Sequence, residues 1–410
     1  MSVEGQTFPK SVQPGIPKLG STPKGWKRYR IGDLFDVVSR PTDLHDDQEY
    51  DLVTVKRSRG GIERRSHLLG RQISVKSQFL LEEGDFLISK RQIVHGACAV
   101  VPAEFSGSIV SNEYSVLRPR PVLSLNYLRY LVHSVYLQQT FFHSSVGVHV
   151  EKMIFRLEDW FKWPIHLPPV AEQEKLGRGL MDADAKNTLL TEKKTALEDY
   201  KRGLMQRLFS RELRFTRDDG SAFPDWEERK LGRLGRFTGG GTPDTNISAY
   251  WSGKTAWISS SDLSEGNIRA LRIERRITEN AIKESATQII PKGAVLIVTR
   301  VGIGKCAIAT EDLCTSQDFS NFVPESGVAE FFAYWLCHNQ HKLLSLAQGT
   351  SIKGITTHDL KALKVQLPHP DEQRKIAVAL SALDAKIDAL SQKISEMEAF
   401  KKGLLQKLFI

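Results

Sequence analysis

A chain of 410 residues carrying 57 Lys and Arg against 48 Asp and Glu, a formal charge of +9, has room for two or three domains and favours an acidic partner, most often nucleic acid. No apolar run reaches the eighteen or so residues of a membrane span and residues 1–15 hold no hydrophobic signal core, so a soluble cytoplasmic protein is expected, with no membrane partner. Cys98, Cys306, Cys314 and Cys337 form no CxxC pair and no Cys/His cluster, which excludes a structural zinc site and fits reduced thiols.

Residues 1–22, rich in Pro, Gly, Ser and Lys without periodicity, are expected to be a flexible lead-in. The first globular block, 23–166, has short apolar runs bounded by Gly, Pro and charge, as strands are: 50–55 (YDLVTV), 84–90 (GDFLISK), 97–102 (ACAVVP) and 114–119 (YSVLRP). One helical stretch, 125–142 (LNYLRYLVHSVYLQQTFF), interrupts them. A long helix is expected over 167–210. Residues 211–224 then form a polar, turn-rich connection into a second block, 211–366. This block has strand candidates at 255–261, 293–300, 305–310 and 321–325 and a helix over 329–347. A second long helix is expected over 367–410.

The long helices are nearly the same sentence. Segments 167–209 and 367–409 align without a gap at an offset of 200, so that Gln173 falls on Gln373, Asp184 on Asp384 and Lys201 on Lys401. Each follows prolines, carries Glu and Gln in its first turn and gathers Lys and Arg toward its end, the charge order a helix dipole prefers. In the second copy Ile376, Leu380, Leu383, Ile387, Leu390, Ile394, Met397 and Leu404 alternate spacings of four and three, interrupted only by Lys401, as a coiled-coil seam does. The first copy keeps the frame with Leu176, Leu180, Leu190, Leu197 and Leu204 but places Asn187 and Lys194 in it, and polar seam residues fix register. An amphipathic helix lying on a globular core has the same period. About forty residues at ~1.5 Å each give ~60 Å, however, which is longer than a small domain is wide.

The blocks repeat as well. Trp26 with Ile31-Gly32-x-Leu34 answers Trp226 with Leu231-Gly232-x-Leu234, Gly60-Gly61-Ile62 answers Gly266-Asn267-Ile268, and Gly84-x-x-Leu87-Ile88 answers Gly293-x-x-Leu296-Ile297. Between these anchors the offset drifts from 200 to 209 and back, so loops differ in length on a duplicated scaffold, as two readers of different targets would.

These residues resemble the specificity subunits of type I restriction-modification systems, the HsdS family. The wording that carries the resemblance is Gly239-Gly240-Gly241-Thr242-Pro243, Tyr250-Trp251-Ser252-Gly253, Trp257-Ile258-Ser259 and Arg300-x-Gly302-x-Gly304, with Gly349-Thr350 leading to Leu367-Pro368. It covers about residues 24–410 and is strongest in the second half and both helices; the first half has Ser39-Arg40-Pro41-Thr42 where the family has a Gly-Thr-Pro element. The resemblance implies an α+β pseudo-twofold tandem repeat. By that resemblance, two target recognition domains are expected to be separated by two long helices that pair as an antiparallel coiled coil. It further implies double-stranded DNA with a bipartite sequence as ligand, two methyltransferase (HsdM) subunits and restriction (HsdR) subunits as partners, and S-adenosylmethionine, ATP and magnesium held on those partners with no cofactor in this chain.

No catalytic motif survives inspection. Gly302-Ile303-Gly304-Lys305-Cys306 resembles the end of a phosphate loop, but Thr299 stands where its first glycine belongs and Cys306 where the magnesium-binding hydroxyl belongs. No GxSxG elbow, HExxH helix or Asn-Pro-Pro-Tyr methyltransferase signature occurs. DNA contacts are expected instead from Lys56, Arg57, Arg64 and Arg65 in the first block, and from Thr242, Trp251, Trp257, Arg275, Arg276, Arg300, Lys305 and Lys353 in the second. Each of these is equally a candidate for a solvated, salt-bridged or core role. Two other functions stay open: a coiled-coil scaffold for protein assembly, and a detached specificity region of a single-chain restriction-methylation enzyme.

Overall fold

The computed structural model describes residues 11–348 and 354–408. The chain divides into two units, Met1–Leu190 with Lys393–Ile410, and Thr191–Gln392. Each therefore consists of most of one repeat together with the final turns of the other repeat's long helix.

In the first unit, strand Lys27–Arg30 lies antiparallel to Pro164–Leu167, with Lys27 opposite Leu167, so the block is sealed where it begins and ends. A four-stranded antiparallel sheet follows the order Phe35–Val37, Tyr114–Pro119, Phe86–Ser89, Cys98–Val100. A five-stranded sheet carries the hairpin Glu49–Val55 and Ile62–Leu69 at one edge. The stretch expected as one helix is two, Leu125–Leu131 and Val135–His143, because Ser134 leaves the helical region and its hydroxyl accepts from the backbone N–H of Leu137, capping a new helix. Trp160, Tyr127, Phe86 and Phe141 fill the core, and Leu180 of the first long helix joins them with no exposure.

Residues 11–22 are not the flexible lead-in that composition suggested. Val12 is buried, Thr22 Oγ1 lies 3.0 Å from His166 Nε2, and His143 Nε2 lies 3.1 Å from the carbonyl of Gly15. Low complexity was a poor guide because single side chains anchor this segment to the block; residues 1–10 lie outside the described part.

The second unit repeats the plan. Glu227–Lys230 pairs antiparallel with Lys364–Leu367, and the four-stranded sheet runs Gly235–Gly239, Ser320–Pro324, Val295–Ile297, Cys306–Ile308, matching the first strand for strand. A three-stranded sheet, Arg275–Ile277, Thr255–Ile258 and Leu313–Thr315, stands where the first unit has five strands. Here too the long helical stretch divides, into Ala329–His338 and Gln340–Leu346.

The long helices are Val170–Phe209 and Pro370–Leu408, 40 and 39 residues. The repeated Gln fastens each to its own block. Gln173 Oε1 accepts from the N–H of Ser124 at 2.9 Å, and Gln373 Oε1 accepts from the N–H of Val328 at 2.9 Å. Within the first unit Leu176 and Leu180 share a core with Leu404, Leu405 and Leu408, and Asp184 meets Lys401, so residue numbers rise along one helix as they fall along the other. Within the second, Met205 and Leu208 share a core with Ile376 and Leu380, and Lys201 meets Asp384. Both segments pair antiparallel, as the resemblance implied. Burial along the seam is uneven: Ile376, Leu380, Leu383, Ile387 and Leu390 are buried, while Leu176, Asn187, Leu190, Leu197, Leu204, Ile394, Met397 and Leu404 are half-buried. Leu180 and Leu380 touch a block core and the other helix at once, so the helix starts combine the seam with the amphipathic, core-lying role.

Candidate nucleic-acid interface

The hairpin of the first unit presents its cations on and beside the strand Ile62–Leu69. Lys56 pairs with Glu63 at 2.6 Å, Arg57 with Glu151 at 2.9 Å and Arg64 with Asp51 at 3.0 Å, all at least a quarter exposed. Arg65 is exposed and makes no side-chain bond to any described residue. His67 lies between Asp51, 2.6 Å from its Nδ1, and Glu49, 3.1 Å from its Nε2; hydrogen bonding to Asp51, then to Glu49, raises its pKa above the ordinary histidine value. The hairpin is therefore a mesh of alternating charge in which exposed cations pair with nearby carboxylates.

In the second unit the expected residues separate. Trp257 is 4 % exposed, its indole N–H donates to the carbonyl of Gly241 at 2.9 Å, and Trp251 packs edge-on against it at 5.0 Å. Trp257 is therefore core and not a DNA contact, and Trp251, half-buried against it, supports the same cluster. Thr242 donates to Gln317 Oε1. Arg275 stacks 4.6 Å over the Trp257 ring, pairs with Asp262 and donates to Ser259 Oγ at 2.7 Å, while Arg276 pairs with Glu311 at 3.0 Å. Arg275 is thus tied to the sheet by three contacts and acts first as a structural clamp. Arg300 is exposed and Lys305 half-buried, and neither side chain bonds a described residue. Lys353 and the Gly349-Thr350 pair lie outside the described residues.

One arrangement escaped the sequence reading. Lys201 Nζ donates to Asp384 at 2.5 Å and to the carbonyl of Gly266 at 2.7 Å, and Tyr334 donates to the other Asp384 oxygen at 2.6 Å. Its counterpart in the first unit joins Lys401 to Asp184 at 2.5 Å and Tyr130 to Asp184 at 2.9 Å. Burial, then the neighbouring carboxylate, pushes the hydroxyl of Tyr334 up; burial and the hydrogen bond to Asp184 do the same to Tyr130. In both cases the lysine comes from one repeat's helix and the Asp and Tyr from the other repeat. The signal was present in the sequence as an Asp and a Lys recurring at one offset inside an apolar frame. Among the described residues no three His, Cys, Asp or Glu side chains gather as a metal site, and no helix is long and apolar enough to cross a membrane.

The fold is that of a tandem-repeat protein of two sheet-based blocks, each followed by a long helix, with the helix pairing tied by a Lys-Asp-Tyr cluster that is buried in the second unit and half-exposed in the first. The chain matches the family described as type I restriction modification DNA specificity domain twice, over residues 23–199 and 224–399. It belongs to that family. It is 35 % identical over 207 residues to the type I restriction enzyme MjaIX specificity subunit of Methanocaldococcus jannaschii, a match that covers 49 % of this chain and spans about half, 48 %, of that relative. It is 23 % identical over 410 residues to the putative MjaX specificity subunit of the same organism, covering 95 % and 94 % of the two chains. Among solved structures, the type I restriction-modification S subunit of M. genitalium superposes with a TM-score of 0.59 at 16 % identity over 97 % of this chain and 99 % of that one.

Proposed function

We propose that the chain is the non-catalytic DNA sequence-specificity subunit of a type I restriction-modification complex, in which each block reads one half of a bipartite duplex target. The observation that carries this reading is that the family domain occurs twice in one chain, each copy with its own long helix. Exposed cations with no side-chain partner among the described residues, Arg65 in the first block and Arg300 in the second, are the first choice for duplex contacts, since guanidinium groups serve both phosphates and guanine edges. Lys56, Arg57, Arg64 and Arg276 hold solvent-exposed acids and can exchange them for phosphate at little cost. Two methyltransferase subunits dock on the chain in this reading and bring S-adenosylmethionine; restriction subunits bring ATP and magnesium chemistry. The complex works in the cytoplasm.

The test is an electrophoretic mobility shift of the chain with its methyltransferase partner on duplexes holding two random half-sites at random gaps, followed by sequencing of the bound fraction. Enrichment of two fixed half-sites at one gap supports the reading. A bound pool without sequence or gap preference would instead favour a coiled-coil scaffold whose blocks bind protein.

A further inference from the structure

The loop joining strands Glu49–Val55 and Ile62–Leu69 holds Ser58 at φ 57 and Arg59 at φ 58, with Gly61 following at φ 84. Two successive non-glycine residues in the left-handed region persist only where the surroundings enforce them, and such strain gathers at ligand sites. Here the Arg59 N–H donates to the carbonyl of Gly96 at 2.8 Å and Lys56 N–H to that of Gly61 at 2.9 Å. The turn aims the Arg59 side chain inward. A Cβ placed on Gly96 would lie 2.9 Å from the Arg59 guanidinium carbon, so the guanidinium rests directly against that glycine.

Arg59 is half-buried and makes no ion pair or side-chain hydrogen bond with any described residue. Burial lowers its pKa. The nearby Cys98 thiol, pushed up to about 12 by burial, stays protonated and offers no counter-charge. With Gly61, Cys98, Arg129, His133 and Lys401 it lines a recess of about 260 Å³ in the first unit. Asp184, the acid of this recess, is already taken by Lys401 at 2.5 Å and Tyr130 at 2.9 Å. Arg129 at the rim is exposed and has no side-chain partner among the described residues. The recess thus keeps two guanidinium charges uncompensated, one of them partly desolvated, which is unfavourable until an anion arrives.

We propose that this recess is a phosphoryl-binding site, with Arg59 as its anchor and Arg129 at its mouth. The planar fork of a guanidinium matches the oxygens of a phosphate, and the volume admits one phosphoryl group. The second repeat supplies an internal contrast. Glu265 stands at the position answering Arg59 and accepts from Gln340 Nε2 at 3.3 Å, so the equivalent place carries an acid in place of the guanidinium. The ligand is either a backbone phosphate of bound duplex or a free phosphoryl compound.

Calorimetric titration of the full-length chain with inorganic phosphate, at constant ionic strength against a chloride blank, tests the site. One phosphate per chain is expected, with the dissociation constant rising by roughly tenfold or more in Arg59→Gln, which loses charge-assisted hydrogen bonds. Arg59→Lys, which keeps the charge but loses the planar fork, is expected to retain only part of the affinity, and Glu265→Gln to leave it unchanged. Absence of saturable binding by the native chain, or equal binding by folded Arg59→Gln, overturns the proposal. Repeating the titration on the chain bound to duplex assigns the source, since lost phosphate binding identifies a DNA phosphate and retained binding a free phosphoryl ligand. The first titration needs no DNA recognition, so failure of the specificity reading leaves it intact.

Discussion

At the scale of single residues, the two Lys-Asp-Tyr clusters share a chemistry but not an environment, and that difference sets what each is worth. The Lys201 and Asp384 side chains are 7 % and 1 % exposed, against 32 % and 43 % for Lys401 and Asp184. Removing one partner of a buried pair leaves an uncompensated charge and costs ~3–5 kcal/mol. The half-exposed pair keeps water and should cost ~1 kcal/mol or less. Lys201→Met is therefore expected to destabilise the second unit several times more than Lys401→Met destabilises the first in equilibrium urea unfolding, with Asp384→Leu restoring much of the loss. Equal costs would show that burial is not what decides. A second expectation concerns His67, whose folded pKa is raised by Asp51 and Glu49. The sign follows from linkage. Protonated His67 supports the hairpin fully below the ordinary value near ~6.5, and this support is lost as pH rises through the higher folded value. An NMR titration of the imidazole should give a midpoint above the ordinary value that falls back toward it in Asp51→Asn; an ordinary midpoint in the native chain would show that the pairing does not persist in solution.

At the scale of elements, the sequence exposed the repeats, the strand-rich blocks and the long helices because each rests on local periodicity or on identity between copies. What stayed hidden depended on contacts distant in sequence. Trp257 read as a possible base contact because an aromatic residue between strand residues looks alike in both roles, and only the Gly241 carbonyl beside its indole settles it as core. Arg275 and Arg276 read as a basic cluster, while their acids, Asp262 and Glu311, lie on other elements. The split of each block's helical stretch was legible in principle, since Ser134 is a helix-capping residue, but the apolar run continues across it. The glycine-rich family wording also turns out to describe packing. A Cβ on Gly253 would lie 1.9 Å from the Ile277 carbonyl oxygen, so the turn before strand Thr255–Ile258 admits no larger residue against Arg275–Ile277. Gly253→Ala is expected to force that three-stranded sheet apart at a cost of about 1–3 kcal/mol or more. Limited proteolysis should then cut within 244–278 sooner than in the native chain, with the first unit's pattern unchanged. An unaltered digest would mean that the turn can relax without loss.

At the scale of the whole molecule, the division between the two units falls inside both long helices, after Leu190 in one and after Gln392 in the other. Helix segments on either side of these points belong to separate cores, Leu180 and Leu404 to one, Leu208 and Leu380 to the other. If the helices set the distance between two readers, their length must register with the rise of duplex DNA, ~3.4 Å per base pair. Inserting seven residues between Leu190 and Leu197, matched by seven between Leu390 and Met397, preserves the alternation of four and three and adds ~10 Å. That corresponds to about three base pairs. Inserting two residues in each helix instead rotates everything beyond by ~200° and carries polar residues into the seam. The seven-residue variant, expressed with its methyltransferase partner, is expected to methylate the same two half-sites with a wider gap, whereas the two-residue variant loses activity. An active seven-residue variant whose methylated sites keep the native gap would make the helices a docking surface alone, and the spacing of the target would then have to be set within the blocks.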